Sequence, residues 1–471
     1  MRSFPVSATY ADLYELTMGE VYFFERKTDI PVCFDYFFRK LPGGSGYVLF
    51  AGLEDLLETL EALRFTGEDL DFLRELKFPA SYIEFLARFR FRGKIHAVCE
   101  GEIVFPGCPI LRVEGGLFET QLVETLLLNI LNFESLVATK ASRIKYVAGD
   151  RAVSDFGLRR SHGPGGILAT RATFIGGVES TSNVYAAEKY GLPVSGTMAH
   201  SFIESYDSEL QAFRAFAGVR PDDAIFLVDT YDTLYSGVPN AILVAREMEK
   251  KGLRAAGVRL DSGDLAYLAR RCRDMLDEAG LGYMKIVVSN QLDEHVIKSL
   301  LDQGAPIDVF GVGTRLVTGH PDGALDGVYK LSMSDGKPKI KLSENLSKLT
   351  LPGIKQVRRV FDANGLFFGA DVIALESEAG VPVMVHPVEP GKSLSIGHLR
   401  QEPLLRVVME DGRRVSPAAM VGDIAAYARK RLSLLPAEYR RFENPHLYKV
   451  GLSGELLRLR DEVRQRHIQR N

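Results

Sequence analysis

The feature that most constrains the fold of this chain is a series of short apolar runs, each followed by a helical pattern. The runs end, in chain order, at Asp155, Gly196, Asp229, Asp261, Ser289 and Gly311. The last four endings lie 22 to 32 residues apart, which is the length of one strand and one returning helix. This repetition predicts an α/β fold with a (β/α) barrel-like domain over residues 113–330, closed rather than open. An open, doubly wound sheet is the alternative.

In a barrel the carboxyl ends of all strands face one side. Polar side chains at those ends are therefore expected to lie together although they are far apart in sequence. They are Asp155, Thr197, His200, Asp229, Arg259, Asp261, Asn290 and Thr314.

The two ends of the chain lack the repeating strand-and-helix pattern of the middle. Residues 1–112 predict an N-terminal domain of α+β type. Residues 331–425 are β-rich around the turns Asp335-Gly336 and Asn364-Gly365, and we expect this segment to return to the N-terminal domain. Residues 426–471 predict a helical extension, whose basic side chains fit a solvated helix face better than a nucleic-acid contact.

Composition excludes several classes of function. The 471 residues carry a formal net charge of -3, so any anion site must be a local concentration of cations and backbone N–H groups. The most apolar segment, residues 122–137, is interrupted by polar residues and predicts a buried helix instead of a membrane span. The four cysteines form no C-x-x-C pair and fit a reducing compartment. We therefore expect a cytoplasmic protein without a nucleic-acid or membrane partner.

An aromatic residue and arginines follow the run that ends at Asp155. Phe156 and Arg159, with Arg160 and the glycine-rich loop behind them, can hold a planar anionic ring by stacking and by a fork-shaped ion pair. An ordinary turn with surface arginines explains the same residues equally well.

A guanidinium and carboxylates follow a later run, at Arg259, Asp261 and Asp264. Such carboxylates can hold Mg²⁺ or ribose hydroxyls. The alternative is that Asp261 or Ser262 only caps the following helix.

Gly313 and Thr314 lie in a glycine turn late in the predicted barrel, where phosphates are commonly bound by backbone N–H groups. The sequence contains no standard nucleotide P-loop. His200 follows Gly196-Thr197 and can act as a proton shuttle or as a nucleophile towards phosphorus. A structural histidine at a strand terminus is the alternative.

Taken together, these motifs predict a ligand that contains a planar anion, a ribose and phosphates. Over essentially its whole length the chain resembles the nicotinate phosphoribosyltransferases. The matching segments are Asp12-Leu13-Tyr14 with Thr17-Met18, Phe38 to Pro42 with Gly46-Tyr47, Asp155-Phe156-Gly157 with Arg159-Arg160, Thr181 to Val184, Gly196-Thr197 with Ala199 to Phe202, Asp229 to Thr233, Val258 to Asp264, and Gly311 to Thr314. Ser180 stands where the family usually has a glycine.

The resemblance implies a type II phosphoribosyltransferase fold, with an α+β domain built from both ends of the chain. It also implies a homodimer whose active sites lie at the subunit boundary. His200 matches the histidine that ATP phosphorylates. Tyr14, from the neighbouring subunit, is expected to stack on the pyridine ring opposite Phe156.

The other roles follow from the same resemblance. Arg259 and Thr197 match contacts to nicotinate. Thr314, together with Gly313, matches a contact to the phosphoribosyl phosphate, and Arg159 matches a phosphate or ring contact. Asp261 is expected to act in catalysis.

The implied reaction joins nicotinate to 5-phosphoribosyl 1-diphosphate, giving nicotinate mononucleotide and pyrophosphate for NAD biosynthesis, with ATP and Mg²⁺ required. Ser182 favours nicotinate, because the related nicotinamide enzyme has an aspartate there that would repel a carboxylate. A nicotinamide or quinolinate phosphoribosyltransferase on the same fold, or a paralogue that binds pyridine nucleotides without turnover, remains an alternative.

Overall fold

The computed structural model describes residues 6–342 and 350–468. The chain divides into two compact units. One unit, here the mixed-sheet unit, contains residues 1–139 and 322–471; the other, the half-barrel unit, contains residues 140–321. The four-part division made from the sequence stays a prediction, and parts of its first segment and of its last two segments lie outside the described residues.

The N-terminal stretch alternates helices with short strands. In chain order they are α1 (Leu13–Phe24), β1 (Pro31–Phe38), β2 (Val48–Leu49), α2 (Leu53–Ala62), α3 (Gly67–Glu75), α4 (Ala80–Ala87), β3 (Lys94–Ala97), β4 (Ile103–Val104), β5 (Leu111–Gly116), α5 (Leu117–Leu122) and α6 (Glu124–Ala148).

The middle stretch alternates strands with helices. Its elements are β6 (Ala152–Asp155), α7 (Gly165–Ile175), β7 (Ser180–Thr181), α8 (Val184–Tyr190), α9 (His200–Glu204), α10 (Glu209–Val219), β8 (Ile225–Leu227), α11 (Val238–Glu249), β9 (Gly257–Leu260), α12 (Leu265–Glu278), β10 (Lys285–Ser289), α13 (Glu294–Asp302), β11 (Val309–Val312) and α14 (Thr314–Val317).

The C-terminal stretch is mostly β-structure and ends in helices. Its elements are β12 (Gly327–Ser334), β13 (Lys337–Pro338), β14 (Lys355–Phe361), β15 (Phe367–Leu375), β16 (Val383–Val385), β17 (Ser393–Ser395), β18 (Arg400–Pro403), β19 (Arg406–Glu410), β20 (Arg413–Arg414), α15 (Val421–Leu434), β21 (Lys449–Leu452) and α16 (Gly454–Ile468).

The half-barrel unit is built on one six-stranded sheet with the strand order β7-β6-β11-β10-β9-β8. All of its pairings are parallel, so the carboxyl ends of the strands lie on the same edge. The (β/α) barrel-like architecture is confirmed, but closure is not. Strands β7 and β8 are the two edges of this sheet, so it is a half-barrel instead of the closed barrel that the repetition predicted.

Helix ends in this unit follow from local chemistry. The side chain of Asp264 accepts a hydrogen bond from the backbone N–H of Tyr267 at 3.0 Å and starts α12. Gly280, just after that helix, has φ of +74°, a left-handed conformation that glycine adopts at little cost. Asp293 caps α13 in the same way as Asp264, through the N–H groups of His295 and Val296.

The mixed-sheet unit contains a seven-stranded sheet with the order β13-β12-β1-β5-β3-β19-β20 and a six-stranded sheet with the order β17-β16-β21-β15-β14-β18. Strand β1 pairs with β12 in antiparallel register, with Tyr36 opposite Tyr329. The rings of Phe34 and Tyr329 stack with centroids 4.7 Å apart. The prediction that the C-terminal β-rich part returns to the N-terminal domain is therefore confirmed.

Two sequence-based expectations fail locally. The apolar run at residues 193–195 forms only an isolated bridge between Val194 and Thr181. Residues 337–342, which lie in the segment predicted to be β-rich, form strand structure only at β13. Among the described residues, no helix combines the length and the apolar character that crossing a membrane requires.

Candidate active site

The strand ends of the half-barrel unit meet around the guanidinium of Arg259, at the end of β9. Its Nη1 donates to Thr197 Oγ1 at 2.8 Å, its Nε to Ser289 Oγ at 2.9 Å, and its Nη2 to Asp261 Oδ1 at 3.0 Å. The side chain is only 15% exposed. Three hydrogen bonds, to the loop at Thr197, the end of β10 and the residue after β9, thus hold one planar cation in a fixed orientation, which is the property that a fork-shaped contact to a carboxylate needs.

The face of Phe156 lies beside this cation. The guanidinium carbon of Arg259 is 5.5 Å from the centroid of the Phe156 ring. Gly311 permits the ring to lie there, because a Cβ atom at residue 311 would come within 2.5 Å of it. An aromatic face next to a guanidinium is an arrangement suited to a flat, negatively charged ring.

Asp155 holds the turn that carries Phe156. Its carboxylate is fully buried and accepts hydrogen bonds from the Gly157 backbone N–H at 2.8 Å, from Thr170 Oγ1 at 2.8 Å and from Thr181 Oγ1 at 2.9 Å. Burial raises the pKa of Asp155 above its ordinary value, although all three hydrogen bonds oppose that rise. Asp155 is therefore a buried anchor of the turn and not a group presented to a ligand.

His200 begins the short helix α9 and lies between a hydroxyl and a carboxylate. Its Nδ1 is 3.1 Å from Thr230 Oγ1, and its Nε2 is 3.8 Å from Asp261 Oδ2. The side chain is 40% exposed, so the ring is oriented by its neighbours and is still accessible. A proton shuttle or a nucleophile needs that combination of orientation and access.

Two aspartates close this part of the site. Asp229 Oδ2 accepts from the backbone N–H of Asp261 at 2.8 Å and from Ser262 Oγ at 2.7 Å. Asp229 Oδ1 is buried and has no hydrogen-bond partner within the described residues. A carboxylate oxygen in that position is suited to a cation or a ligand hydroxyl.

The structure brings together Thr197, His200, Arg259 and Asp261 by direct contacts, with Phe156 at the guanidinium. Four other predicted site residues make no hydrogen bond or ion pair with this cluster among the described residues. Arg159 is exposed in the short helical turn after Phe156; Ser182 is exposed after β7, with its N–H donating to the Asp155 carbonyl; Gly313 and Thr314 lie at the start of α14, Thr314 exposed. Their roles, like those of the cluster, stay predictions.

Tyr14 belongs to the mixed-sheet unit. It lies in the first turn of α1 and its side chain is 45% exposed. Burial first, and then the nearby carboxylates of Glu124, Glu15 and Asp12, raise the pKa of Tyr14 to about 12. The phenol is therefore neutral at physiological pH, which suits a ring that stacks on another ring.

Sequence reasoning gave no role to Thr230 and Ser289, although each contacts a residue of the cluster. A signal was available, because Thr230 follows β8 closely and Ser289 ends β10, both at the edge where the strand ends meet. In the structure Asn290, the residue after Ser289, has φ of +82°, an uncommon conformation that is enriched at functional turns.

A half-barrel that presents a guanidinium, an imidazole, carboxylates and hydroxyls at its strand ends defines an α/β enzyme that handles an anionic ligand at that edge. Three family models match the chain: the nicotinate phosphoribosyltransferase N-terminal domain over residues 9–132, the nicotinate phosphoribosyltransferase family over residues 152–365, and the C-terminal domain over residues 354–460. The chain belongs to the nicotinate phosphoribosyltransferase family. The resemblance seen in the sequence is thereby confirmed.

Individual relatives agree with this assignment. Nicotinate phosphoribosyltransferase of Bacillus subtilis is 44% identical over 456 residues, 95% of this chain and 93% of the relative. Nicotinate phosphoribosyltransferase pncB2 of Mycobacterium tuberculosis is 41% identical, over 97% of this chain and 94% of its own length. The crystal structure of human nicotinic acid phosphoribosyltransferase matches with a TM-score of 0.86 at 32% identity, covering 96% of this chain and 99% of the human chain.

Proposed function

We propose that this chain condenses nicotinate with 5-phosphoribosyl 1-diphosphate to give nicotinate mononucleotide and pyrophosphate, a step of NAD biosynthesis, and that it hydrolyses ATP in the same cycle. The observation that carries the proposal is the Arg259 guanidinium, held by three hydrogen bonds beside the face of Phe156. That arrangement matches a flat ring with one carboxylate. The names of the family and of the similar proteins support the same substrate.

In this reaction the pyridine nitrogen attacks the anomeric carbon while the bond from that carbon to the diphosphate oxygen breaks. The electron pair of the broken bond leaves with pyrophosphate, and the sugar passes through an oxocarbenium-like state. Arg259 and the Thr197 hydroxyl would bind the nicotinate carboxylate, and Phe156 would fix the plane of the ring. The gain comes from holding two reactants in line, which can supply a large part of the rate enhancement.

The acidic residues of the site fit a magnesium ion. Asp229 offers a buried carboxylate oxygen without a partner among the described residues, and Asp261 is adjacent to it. No group of three or more His, Cys, Asp or Glu side chains arranged for a metal occurs in the described part of the chain. Mg²⁺ is typically bound by one or two carboxylates plus substrate phosphates, so Asp229 and Asp261 are the residues that would hold it; the ion would neutralise the diphosphate charge.

His200 is the proposed phosphoryl acceptor. An imidazole nitrogen attacks the γ-phosphorus of ATP, the bond from that phosphorus to the bridging oxygen breaks, and ADP leaves; water later releases phosphate from the histidine. The contacts of His200 with Thr230 and Asp261 support this role because they orient the ring. The phosphorylated imidazole would bring new charge to the site, which can reorganise the binding of the diphosphate.

We further propose a homodimer in which Tyr14 of one subunit serves the strand ends of the other. The exposed ring of Tyr14 supports this. The test mixes Tyr14→Ala with His200→Ala, neither of which should support ATP-stimulated synthesis, under conditions of subunit exchange, and follows that ATP-stimulated activity. Shared sites predict that activity returns on mixing, because some sites then receive both intact residues; activity that never returns would contradict sharing.

The proposed function is tested by measuring mononucleotide formation from nicotinate, nicotinamide and quinolinate, each with and without ATP. We expect turnover of nicotinate, stimulated by ATP, and little from the other two. Preference for nicotinamide or quinolinate would overturn the substrate assignment, and no turnover at all would favour a non-catalytic binding protein. The four free cysteines, three of them buried, support a cytoplasmic location.

A further inference from the structure

The mixed-sheet unit contains a cavity that the proposed reaction does not use. Its volume is about 650 Å³, and all of its lining residues belong to this unit. Strands β1, β12, β15 and β21 and helix α16 contribute to the walls. The size is within the range of sites for small organic ligands.

The cavity has an excess of positive charge. Its lining includes five cationic side chains and only two carboxylates. Both carboxylates are already neutralised within the wall: Asp35 Oδ2 is 2.9 Å from Lys355 Nζ, and Asp461 is 2.9 Å from Arg460. Lys355 is further fixed by the carbonyl of Leu351 at 3.0 Å. These two pairs are structural, so the excess charge resides on other residues.

The remaining cations are Arg39, Lys330 and Arg464. Lys330 Nζ is 3.7 Å from Glu124 Oε1, which is too long for a hydrogen bond. Arg464 is exposed on α16. Three cations at one cavity, not engaged in short ion pairs among the described residues, are a suitable set for a phosphate dianion.

Two buried polar atoms of the lining have no hydrogen-bond partner in the described part of the chain. One is Asp35 Oδ1, an acceptor on a side chain that is 3% exposed, and the other is Arg39 Nε, a donor. Buried polar atoms in native proteins are normally paired. A ligand that carries both a donor and an acceptor would satisfy the two atoms together.

The rest of the wall is mostly apolar, with Thr350 and Gln465 as polar members. Phe37, Leu351, Ile373, Val388 and Leu452 line it, and Ile373 and Leu452 are almost completely buried. An inorganic anion would leave this surface unused, and a purely apolar ligand would leave the cations unused.

We propose that this cavity is a second ligand site, which binds a nucleoside monophosphate. Its phosphate is bound by Lys330, Arg464 and Arg39, its flat base lies on the apolar wall, and a ribose hydroxyl donates to Asp35 Oδ1. The proposal goes beyond the condensation reaction, because the site is formed without any residue of the half-barrel unit.

The test is isothermal titration calorimetry of the full chain with 5′-AMP, which is not a reactant of the proposed condensation. Adenosine and inorganic phosphate serve as the two half-ligands. We expect one AMP per chain, with an affinity at least tenfold higher than that of either half. Phosphate binding as tightly as AMP, or AMP binding weaker than about 1 mM, would overturn the proposal.

Variants locate the site. Arg464→Ala and Lys330→Gln should each weaken AMP binding at least tenfold, whereas Arg466→Ala, which removes the same charge from the same helix outside the cavity, should not. Arg259→Ala is the control for AMP that binds at the candidate active site of the half-barrel unit instead of in the cavity. AMP binding that is lost in Arg259→Ala, or that is insensitive to Arg464→Ala and Lys330→Gln, would refute the cavity as its site. Turnover of nicotinate by the wild type is measured in parallel, so that failure of the proposed reaction and failure of this site are read separately.

Discussion

Replacing Arg259 by lysine is the sharpest test of the candidate active site, because it keeps the charge and removes the geometry. Lysine can still approach Asp261, but it cannot donate to Ser289 and Thr197 at the same time from one rigid plane. The variant therefore separates a role in orientation from a role in charge alone.

The magnitude follows from the contacts that are lost. Two hydrogen bonds to neutral hydroxyls contribute about 1 kcal/mol each, and the guanidinium over the Phe156 ring contributes about 1 kcal/mol more. If the lost orientation is fully expressed in the transition state, about 3 kcal/mol corresponds to a loss of about 150-fold in kcat/KM for nicotinate. The free energy of unfolding should fall less, by about 1–2 kcal/mol, because Asp261 keeps a cationic partner.

The assay is steady-state synthesis of the mononucleotide over a range of nicotinate concentrations, with denaturant unfolding in parallel. The matched control is Arg270→Lys, at an exposed arginine of α12 in the same unit that donates to the Gln303 carbonyl. The control should leave kcat/KM unchanged. A value for Arg259→Lys within threefold of the wild type would refute the reasoning, since it would mean that the planar fork does not meet the substrate.

Three further outcomes are expected. His200→Asn removes the nucleophilic nitrogen, so ATP hydrolysis and ATP-stimulated synthesis should be lost while basal synthesis survives; with γ-labelled ATP, a label that survives acid or persists in the variant would contradict a phosphohistidine. Ser182→Asp should lower kcat/KM for nicotinate at least tenfold by bringing two anions together, and an unchanged preference in a folded variant would remove Ser182 from the pocket. Burial raises the pKa of Glu15 from 4.5 to about 7, so the folded state holds this proton more tightly than the unfolded chain, and the stabilisation present below pH 4.5 is lost as the pH rises through 7. Relative to Glu15→Gln, the wild type should lose about 2–3 kcal/mol of unfolding free energy between pH 4.5 and 7.5; parallel denaturant curves across that range would show the effect to be absent.

The strands and helices of the half-barrel unit could be predicted from the sequence for a simple reason. Strand β9 ends at Leu260, directly before Asp261, and α12 after it has its buried apolar residues on one face between Asp264 and Gly280. Hydrophobic periodicity and helix capping both depend on residues close together in the chain, so they can be recognised in a single sequence. The prediction that the strand ends converge required only that the strands be parallel, because parallel strands have their carboxyl ends on the same edge of a sheet.

Other features depended on residues distant in the chain. The two-residue strand β7 is too short to show a period, and whether the sheet closes depends on whether its edge strands pair. No local sequence pattern determines the presence of β7 or the closure of the sheet. The contact of Thr230 with His200, and that of Ser289 with Arg259, needed the actual register of neighbouring strands.

The sequence by itself determined the alternation of strands and helices, the family, and the residue types at the strand ends, because each depends on short-range order or on motifs kept in sequence. Only the tertiary structure decided that the barrel is half-open, and that Arg259 is held by three hydrogen bonds from different segments. It also decided that Asp35, Lys330 and Arg464, each more than a hundred residues from the next, line one cavity. The physical reason is that hydrogen-bond geometry and burial are properties of the packed chain, and packing joins segments whose separation in sequence carries no information about their distance in space.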